Sequence, residues 1–313
     1  MEVTSIRWAA KGGDSTNASA SLPLIVGVCN REPALERPLI SVVVALLNGR
    51  STLKRALDSV LQQDYASREL LVMDGGSTDG SVDVIRAYGP SITHWESQPD
   101  NGIYHAFNKA LAIARGDWIY FLGADDFLWD RGVFGRMALA LRRAYPPHRI
   151  VYGRLNFVSE RGEVLEVLGE PWQRYRRRFL QGFMLPHQAV FHHRSLFEVH
   201  GHFDEAFRTS GDYEMLLREL KAADALFVPE VVVAGYQFGG GSSAPSNSLI
   251  VLKERKRAWK RNHLRGPRLL WYMAEIRILV RVVLWRILGE HIAKRLLDLG
   301  RAVMGKRPFW TRI

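Results

Sequence analysis

The chain has 313 residues, 47% hydrophobic and 24% charged, which fits one large α/β domain or two smaller ones. A single cysteine, Cys29, excludes an internal disulfide and favours a reducing compartment. The net charge of +11 is uneven: Val251 to Ile313 hold 17 Lys/Arg against 4 Asp/Glu, which leaves the first 250 residues slightly acidic.

Residues 1–37 read as an N-terminal extension. Leu22 to Val28 is too short to span a bilayer and follows a polar, Ser/Ala-rich segment rather than the charged start of a signal peptide. "PLISVVVALLNGR" opens the main domain, and Leu39 to Leu46 suits a strand buried on both faces. In the next segment Leu53, Ala56, Leu57, Val60 and Leu61 share one helical face, with Ser51 as a candidate N-cap. "ELLVMDGGSTDGS" is a second strand ending in a Gly/Asp loop, and "VDVIRAYG" a short helix closed by Gly89-Pro90. "ITHWES" is a third strand, "NGIYHAFNKALAIARG" a helix, and "DWIYFLG" a fourth strand that delivers Asp125 and Asp126.

Strands alternating with helices imply right-handed βαβ crossovers and a mostly parallel sheet, whose ligands bind at the carboxyl ends of the strands. Asn48, Asp74, Asp125 and Asp126 stand at those ends. Adjacent carboxylates at a strand end serve either a turn or a hard divalent cation held against a phosphate. Their clustering with other acids on one edge favours a nucleotide site.

In the second half, "RIVYGRLNF" and "GEVLEVLG" read as strands around a turn. The histidines between residues 187 and 200 lack a zinc-ligand spacing, and His192 and His193 point opposite ways on an extended segment. "GDYEMLLREL" starts a helix with Ser210 or Asp212 as cap, and "DALFVPEVVVAGYQFGGGSS" is a strand running into a glycine-rich loop.

Four stretches, "PLISVVVALLNGRSTLKRALDSVLQQDY", "LLVMDGGSTDGS", "DNGIYHAFNKALAIARGDWIYFLGADD" and "SGDYEMLLR", together resemble the family 2 glycosyltransferases of GT-A fold, bacterial exopolysaccharide and O-antigen types above all. The resemblance covers residues 38 to 245. It implies inverting transfer of a sugar from a nucleotide-diphosphate donor, assisted by Mn²⁺ or Mg²⁺, to a glycan or lipid-linked acceptor. Residue by residue it implies that Ala45, Leu47 and Asn48 line the nucleotide and that Asp74 and Asp79 are the acids of the second loop. It places Asn101, Asn108 and Lys109 beside the donor. Asp125 matches the last acid of the family's D-x-D, with Asp126 as a second metal ligand. Asp212 matches the catalytic base, and His187, Gln188, Gly241 and Ser242 fall on the acceptor side. Gly123 stands where D-x-D has its first acid, and Gly211 where many relatives have Glu.

The expected division is an extension to residue 37, a GT-A domain over 38–250 and a basic helical tail over 251–313. Gly266-Pro267 breaks the tail, Arg277 and Arg281 share one helical face, and Ile292, Leu296, Leu299 and Val303 share another. A basic tail with Trp and Leu is expected to bind an anionic membrane surface at the cytoplasmic face, with a packed helix as the alternative. Nucleic acid is not expected as a partner, since it would explain the tail but not the acids. Rival readings are a sugar-nucleotide-forming nucleotidyltransferase, which calls for more glycines than "ALLNGRST" holds, and an inactive nucleotide-sugar-binding scaffold.

Overall fold

A computed structural model describes residues 37–159, 161–237, 247–264 and 269–312. The N-terminal extension up to residue 36, the loop with Gly241 and Ser242, and the Gly266-Pro267 break lie outside the described residues.

The first half is the expected alternation: β1 (Ile40–Leu46), α1 (Arg50–Leu61), β2 (Arg68–Asp74), α2 (Ser81–Tyr88), β3 (His94–Ser97), α3 (Ile103–Ile113) and β4 (Trp118–Gly123). These strands lie in the order β3-β2-β1-β4, all parallel. Leu46 pairs with Asp74, Asp74 with Ser97, and Ala45 with Gly123, so three loops open on the same edge. The apolar run of β1 serves two cores. Val42 and Val44 pack on the side of α1, while Val43 and Ala45 pack on the side of α3, as alternation along a strand requires.

The chain continues through β5 (Phe127–Leu128), α4 (Val133–Ala144), β6 (Ile150–Val158), β7 (Val164–Leu168), α5 (Trp172–Phe179), β8 (Val190–His193), α6 (Ser195–His200), α7 (Gly211–Leu220) and β9 (Leu226–Gln237). The sheet extends as β4-β8-β6-β9-β5 with β7 on β6. This half is mixed: β8 runs antiparallel to β4 and β6, β5 to β9 and β7 to β6, while β6 and β9 are parallel. The sheet is therefore parallel from β3 to β4 and mixed beyond β4, where only the β6–β9 pair needs a crossover connection.

Two helices follow, α8 (Ser248–Arg261) and α9 (Leu269–Val303), the second turned at Gly289 by a φ of 73°. The boundary expected at residue 250 falls inside α8. Leu252, Ala258 and Trp259 of α8 and Trp271 of α9 are buried in the core beside α7, and Trp259 Nε1 donates to Tyr213 Oη at 2.9 Å. The start of the basic tail is thus core structure, because its apolar positions face α7. Ser51 also departs from expectation. It lies inside α1, which follows Gly49, and the first N–H of the helix, at Arg50, donates to Asp79 Oδ2 at 2.9 Å. Ser210 precedes α7 without a side-chain cap bond, and Asp212 lies in the first turn.

One buried carboxylate ties the parallel half together. Glu69 accepts Ser41 Oγ at 2.5 Å, Arg115 N at 2.6 Å and Arg115 Nε at 2.9 Å. Burial by itself would raise its carboxyl, but the bonds from Ser41 and from the Arg115 backbone and side chain outweigh it and hold the carboxyl below its ordinary value. The Arg115 side chain is 70% exposed, so the stabilisation comes from the buried hydrogen bonds more than from the ion pair. A carboxylate of depressed value stabilises the fold above its unfolded value, and that contribution is lost as pH falls through the folded one. Glu69→Gln should therefore cost about 1–3 kcal/mol in urea unfolding at neutral pH. The difference from the parent should narrow on acidification through the carboxylate range; a gap constant down to about pH 3 would contradict this account.

Candidate active site

Two loops at the carboxyl ends of β1 and β2 are knitted by side chains. Asn48, at φ 55°, accepts Thr78 N through Oδ1 at 2.9 Å and donates its own N–H to Ser77 Oγ at 2.7 Å. Asp74 is buried. Its Oδ2 accepts Ser77 N at 2.9 Å and Ser97 Oγ at 2.5 Å, and its Oδ1 accepts Ser77 Oγ. Asp79 accepts Ser81 Oγ at 2.6 Å, Ser81 N at 3.0 Å and Arg50 N at 2.9 Å. The bonds from Ser81 and Arg50 hold the Asp79 carboxyl below its ordinary value, so it is ionised at neutral pH. A Cβ at Gly75 would come within 2.9 Å of Asp100 Oδ2, which brings the β3–α3 loop against the same backbone. Leu47, 62% exposed, stands open at the end of β1, next to the buried Ala45 and Leu46.

The structure thus gathers Ala45, Leu47, Asn48, Asp74 and Asp79, with Asn101 exposed on the β3–α3 loop. Two candidates are otherwise engaged. The Asn108 amide accepts Phe203 N at 3.0 Å and donates to Phe203 O at 3.0 Å and Glu205 Oε1 at 2.9 Å, which makes it a tie between α3 and the 203–205 loop. Lys109 pairs with Glu96 at 2.5 Å. Both were expected beside the donor; their polar groups are instead taken up within the protein.

At the end of β4 the chain turns tightly, with Asp126 N donating to Gly123 O at 3.1 Å. Asp125 is half-buried and Asp126 is 1% exposed, with Oδ1 of Asp126 lacking a hydrogen-bond partner. Burial, and then the charge of Asp125, push the Asp126 carboxyl well above the ordinary range; burial raises Asp125 as well. Arg55 works against both shifts, donating to Asp125 O at 2.7 Å and to Gln237 Oε1 at 2.9 Å. A Cβ at Gly123 would lie 2.6 Å from Asp126 Oδ2 and 2.8 Å from Asp125 Oδ1. The space of the first D-x-D acid is therefore filled by the two carboxylates that follow it. An orphaned buried carboxylate oxygen beside a second carboxylate fits a hard divalent cation that takes its other ligands from phosphates. Among the described residues no group of three His, Cys, Asp or Glu could enclose a metal without such help.

A third group gathers around Asp212. Its Oδ1 accepts Tyr213 N at 2.7 Å and Tyr104 Oη at 3.3 Å, while Oδ2 takes no hydrogen bond from the described residues. Burial, and then Asp212, raise the Tyr104 hydroxyl well above its ordinary value, so it stays a donor. Burial lowers His187, and the charge of Asp212 opposes that shift. Gln188, next in the chain, turns its amide to the carboxylate of Asp126. His187 thus feels the charge of Asp212, and Gln188 stands beside Asp126. Sequence reasoning did not single out Ser77, Ser97, Asp100, Tyr104 or Arg55. The serine-rich "GGSTDGS" was the available signal for the first of these, and Tyr104 and Arg55 left none beyond helical spacing.

A parallel half-sheet whose strand-end loops carry acids, continued by a mixed half that brings in Asp212, is the arrangement of a GT-A fold. The profile of "Glycosyl transferase family 2" matches residues 41–197, and the chain belongs to that family. A PGL/p-HBAD biosynthesis glycosyltransferase of Mycobacterium tuberculosis is 32% identical over 213 residues, 66% of this chain and 80% of the relative. An uncharacterized glycosyltransferase of Rickettsia typhi is 25% identical over 203 residues, 63% of each chain. Among solved structures, mannosyltransferase PcManGT from Pyrobaculum calidifontis, in complex with GDP-Man and Mn²⁺, superposes with a TM-score of 0.58 at 18% identity over 88% of this chain and 83% of its own. S. aureus TarS 1–349 in complex with UDP gives 0.53 at 15% identity over 69% of this chain and 65% of its own. The chain is a glycosyltransferase of GT-A fold.

The crowding at Gly123 carries a prediction. Gly123→Asp, which recreates the first D-x-D acid, should weaken Mn²⁺-dependent UDP binding by at least about tenfold, because Asp125 and Asp126 must move to admit it. Calorimetric titration of UDP with and without Mn²⁺ tests this; tighter binding by the variant would show that the space can be shared.

Proposed function

We propose that the protein is an inverting glycosyltransferase that moves a sugar from a nucleotide-diphosphate donor to a hydroxyl of a glycan or lipid-linked acceptor in polysaccharide biosynthesis. The supporting observation is the Asp125-Asp126 pair, with a buried carboxylate oxygen unpartnered among the described residues, on the sheet edge that also carries the β1–α1 and β2–α2 loops. The β1–α1 and β2–α2 loops hold the nucleoside. Asp125 and Asp126 would hold Mn²⁺ or Mg²⁺, which when bound offsets the charge of the leaving diphosphate. The acceptor oxygen attacks the anomeric carbon from the face opposite the nucleotide, and the bond from that carbon to the diphosphate oxygen breaks. Oδ2 of Asp212 takes the hydroxyl proton, while Tyr104 and the Tyr213 N–H hold Oδ1. Gln188 and Arg55 keep the Asp125-Asp126 turn in place, and half-buried His187 is held neutral by desolvation.

Asp212→Asn keeps the shape of the side chain and removes the proton acceptor. It should lower kcat at least about a hundredfold with UDP affinity within about twofold. Loss of donor affinity with kcat intact would make Asp212 a binding residue.

The reading extends to the tail. Along α9, Ile276, Val280, Val283 and Ile287 are 59, 49, 51 and 73% exposed, and Ile292, Leu296, Leu299 and Val303 are exposed as well. No helix among the described residues is long and apolar enough to cross a membrane. An exposed apolar stripe on a basic helix suits the interface of an anionic bilayer at the cytoplasmic face, where a lipid-linked acceptor would be presented. Because α8 is core, point substitutions test this better than truncation does. Ile276→Asp with Val283→Asp and Ile287→Asp should abolish co-sedimentation with phosphatidylglycerol vesicles and leave the melting temperature and UDP binding unchanged. Full vesicle binding by the triple variant would assign the stripe another role.

A further inference from the structure

Glu254 lies on α8, outside the four stretches that carry the family resemblance, and is 8% exposed. Its carboxylate is directed at the loop that leads into α7. Oε1 accepts Arg208 N at 2.6 Å, and Oε2 accepts Thr209 N at 2.8 Å, Thr209 Oγ1 at 2.8 Å and Ser210 N at 2.9 Å. Three consecutive backbone N–H groups and a hydroxyl thus converge on one ionisable side chain from a distant helix. Hydrogen bonds to a carboxylate are shorter and about twice as strong as neutral ones. Ser210 makes no side-chain cap bond, and the loop's other ties, at Asp204 and Ala206, lie upstream of residues 208–210.

We propose that Glu254 is the positioning residue of the catalytic carboxylate: it sets the start of α7, and through it Oδ2 of Asp212, against the acceptor hydroxyl. The proposal rests on the reading of Asp212 as the base. The tolerance of this arrangement is small. A Cβ at Gly211 would come within 2.8 Å of the Tyr104 ring, so the first residue of α7 is pressed on the tyrosine whose hydroxyl reaches Asp212. Releasing residues 208–210 shifts Asp212 relative to Tyr104, and misplacement by about 1 Å can cost on the order of a hundredfold in rate. The donor loops at Asn48, Asp74 and Asp79 make no contact with Glu254, so donor binding is spared. The remaining bonds of α8 explain why the clamp holds still: Trp259 donates to Tyr213 Oη at 2.9 Å and Arg255 Nη1 to Gly182 O at 2.7 Å.

The test compares Glu254→Ala, Glu254→Gln, Thr209→Val and Asp212→Asn in the full chain, using sugar transfer, donor hydrolysis by water, UDP titration and melting temperature. Glu254→Ala should lower kcat for transfer about ten- to a hundredfold, with donor KM and UDP affinity within about twofold. Donor hydrolysis, which needs no placed acceptor, should fall less. Glu254→Gln keeps one oxygen for Thr209 and Ser210 and should recover most of the rate. Should the alanine variant fail to fold, Glu254→Gln and Thr209→Val carry the same expectation as a loss of a few-fold in kcat at unchanged donor KM. In an Asp212→Asn background Glu254→Ala should add less than about twofold, because groups acting through one another are not additive. A full further loss in that background, a parallel fall of donor affinity and kcat, or parental transfer by Glu254→Ala would each overturn the role. If Asp212→Asn itself keeps its rate, the base assignment fails and this role fails with it. A rate lost in Asp212→Asn but kept in Glu254→Ala removes Glu254 alone.

Discussion

Asp126 is a carboxylate in a place where a carboxylate is costly. It follows the turn that closes a buried strand, adjoins a second acid, and has one oxygen without a hydrogen-bond partner among the described residues. Desolvation and like charge both favour its protonated form, and a group held in that state by the fold alone would weaken it at neutral pH. In the function proposed above, a divalent cation with a diphosphate would have the charge that relieves it. The neighbouring architecture is arranged around that need. β4 ends in a turn small enough to place two acids, Gly123 leaves them room, and Arg55 reaches over to moderate the field.

The same edge of the sheet explains the donor loops. Parallel pairing with aligned carboxyl ends brings the β1–α1, β2–α2 and β3–α3 turns together; Asp74 then accepts from Ser77 and Ser97, and Asp79 from Ser81 and Arg50. Asp74 uses both oxygens on the loop itself. Asp79 likewise uses both oxygens, on Ser81 and on the Arg50 N–H, and is ionised.

The second half supplies what the parallel half lacks. The turn before β8 carries Gln188 to Asp126, and α8 sets Glu254 on residues 208–210, just ahead of Asp212. The basic C-terminal region is thus two things at once. α8 belongs to the core and to the base loop, whereas α9 offers an exposed apolar stripe.

The sequence by itself determined the alternation of strands and helices, because a strand buried on both faces must be apolar throughout and a helix covering it must repeat at 3.6 residues. It also marked Asp125 and Asp126, whose residue type is costly where a buried strand stops, and, through the matching motif, Asp212 at a helix start. It could not show that Asn108 and Lys109 spend their polar groups on Phe203 and Glu96, since only packing decides which neighbour an amide or ammonium meets. Nor could it separate α8 from the tail. Leu252, Ala258 and Trp259 stand among five Lys/Arg residues between 253 and 260, and their burial depends on the α7 surface that folding brings to them. Glu254 was unreadable for the same reason: its partners are backbone N–H groups more than 40 residues away, and every residue type carries those except proline.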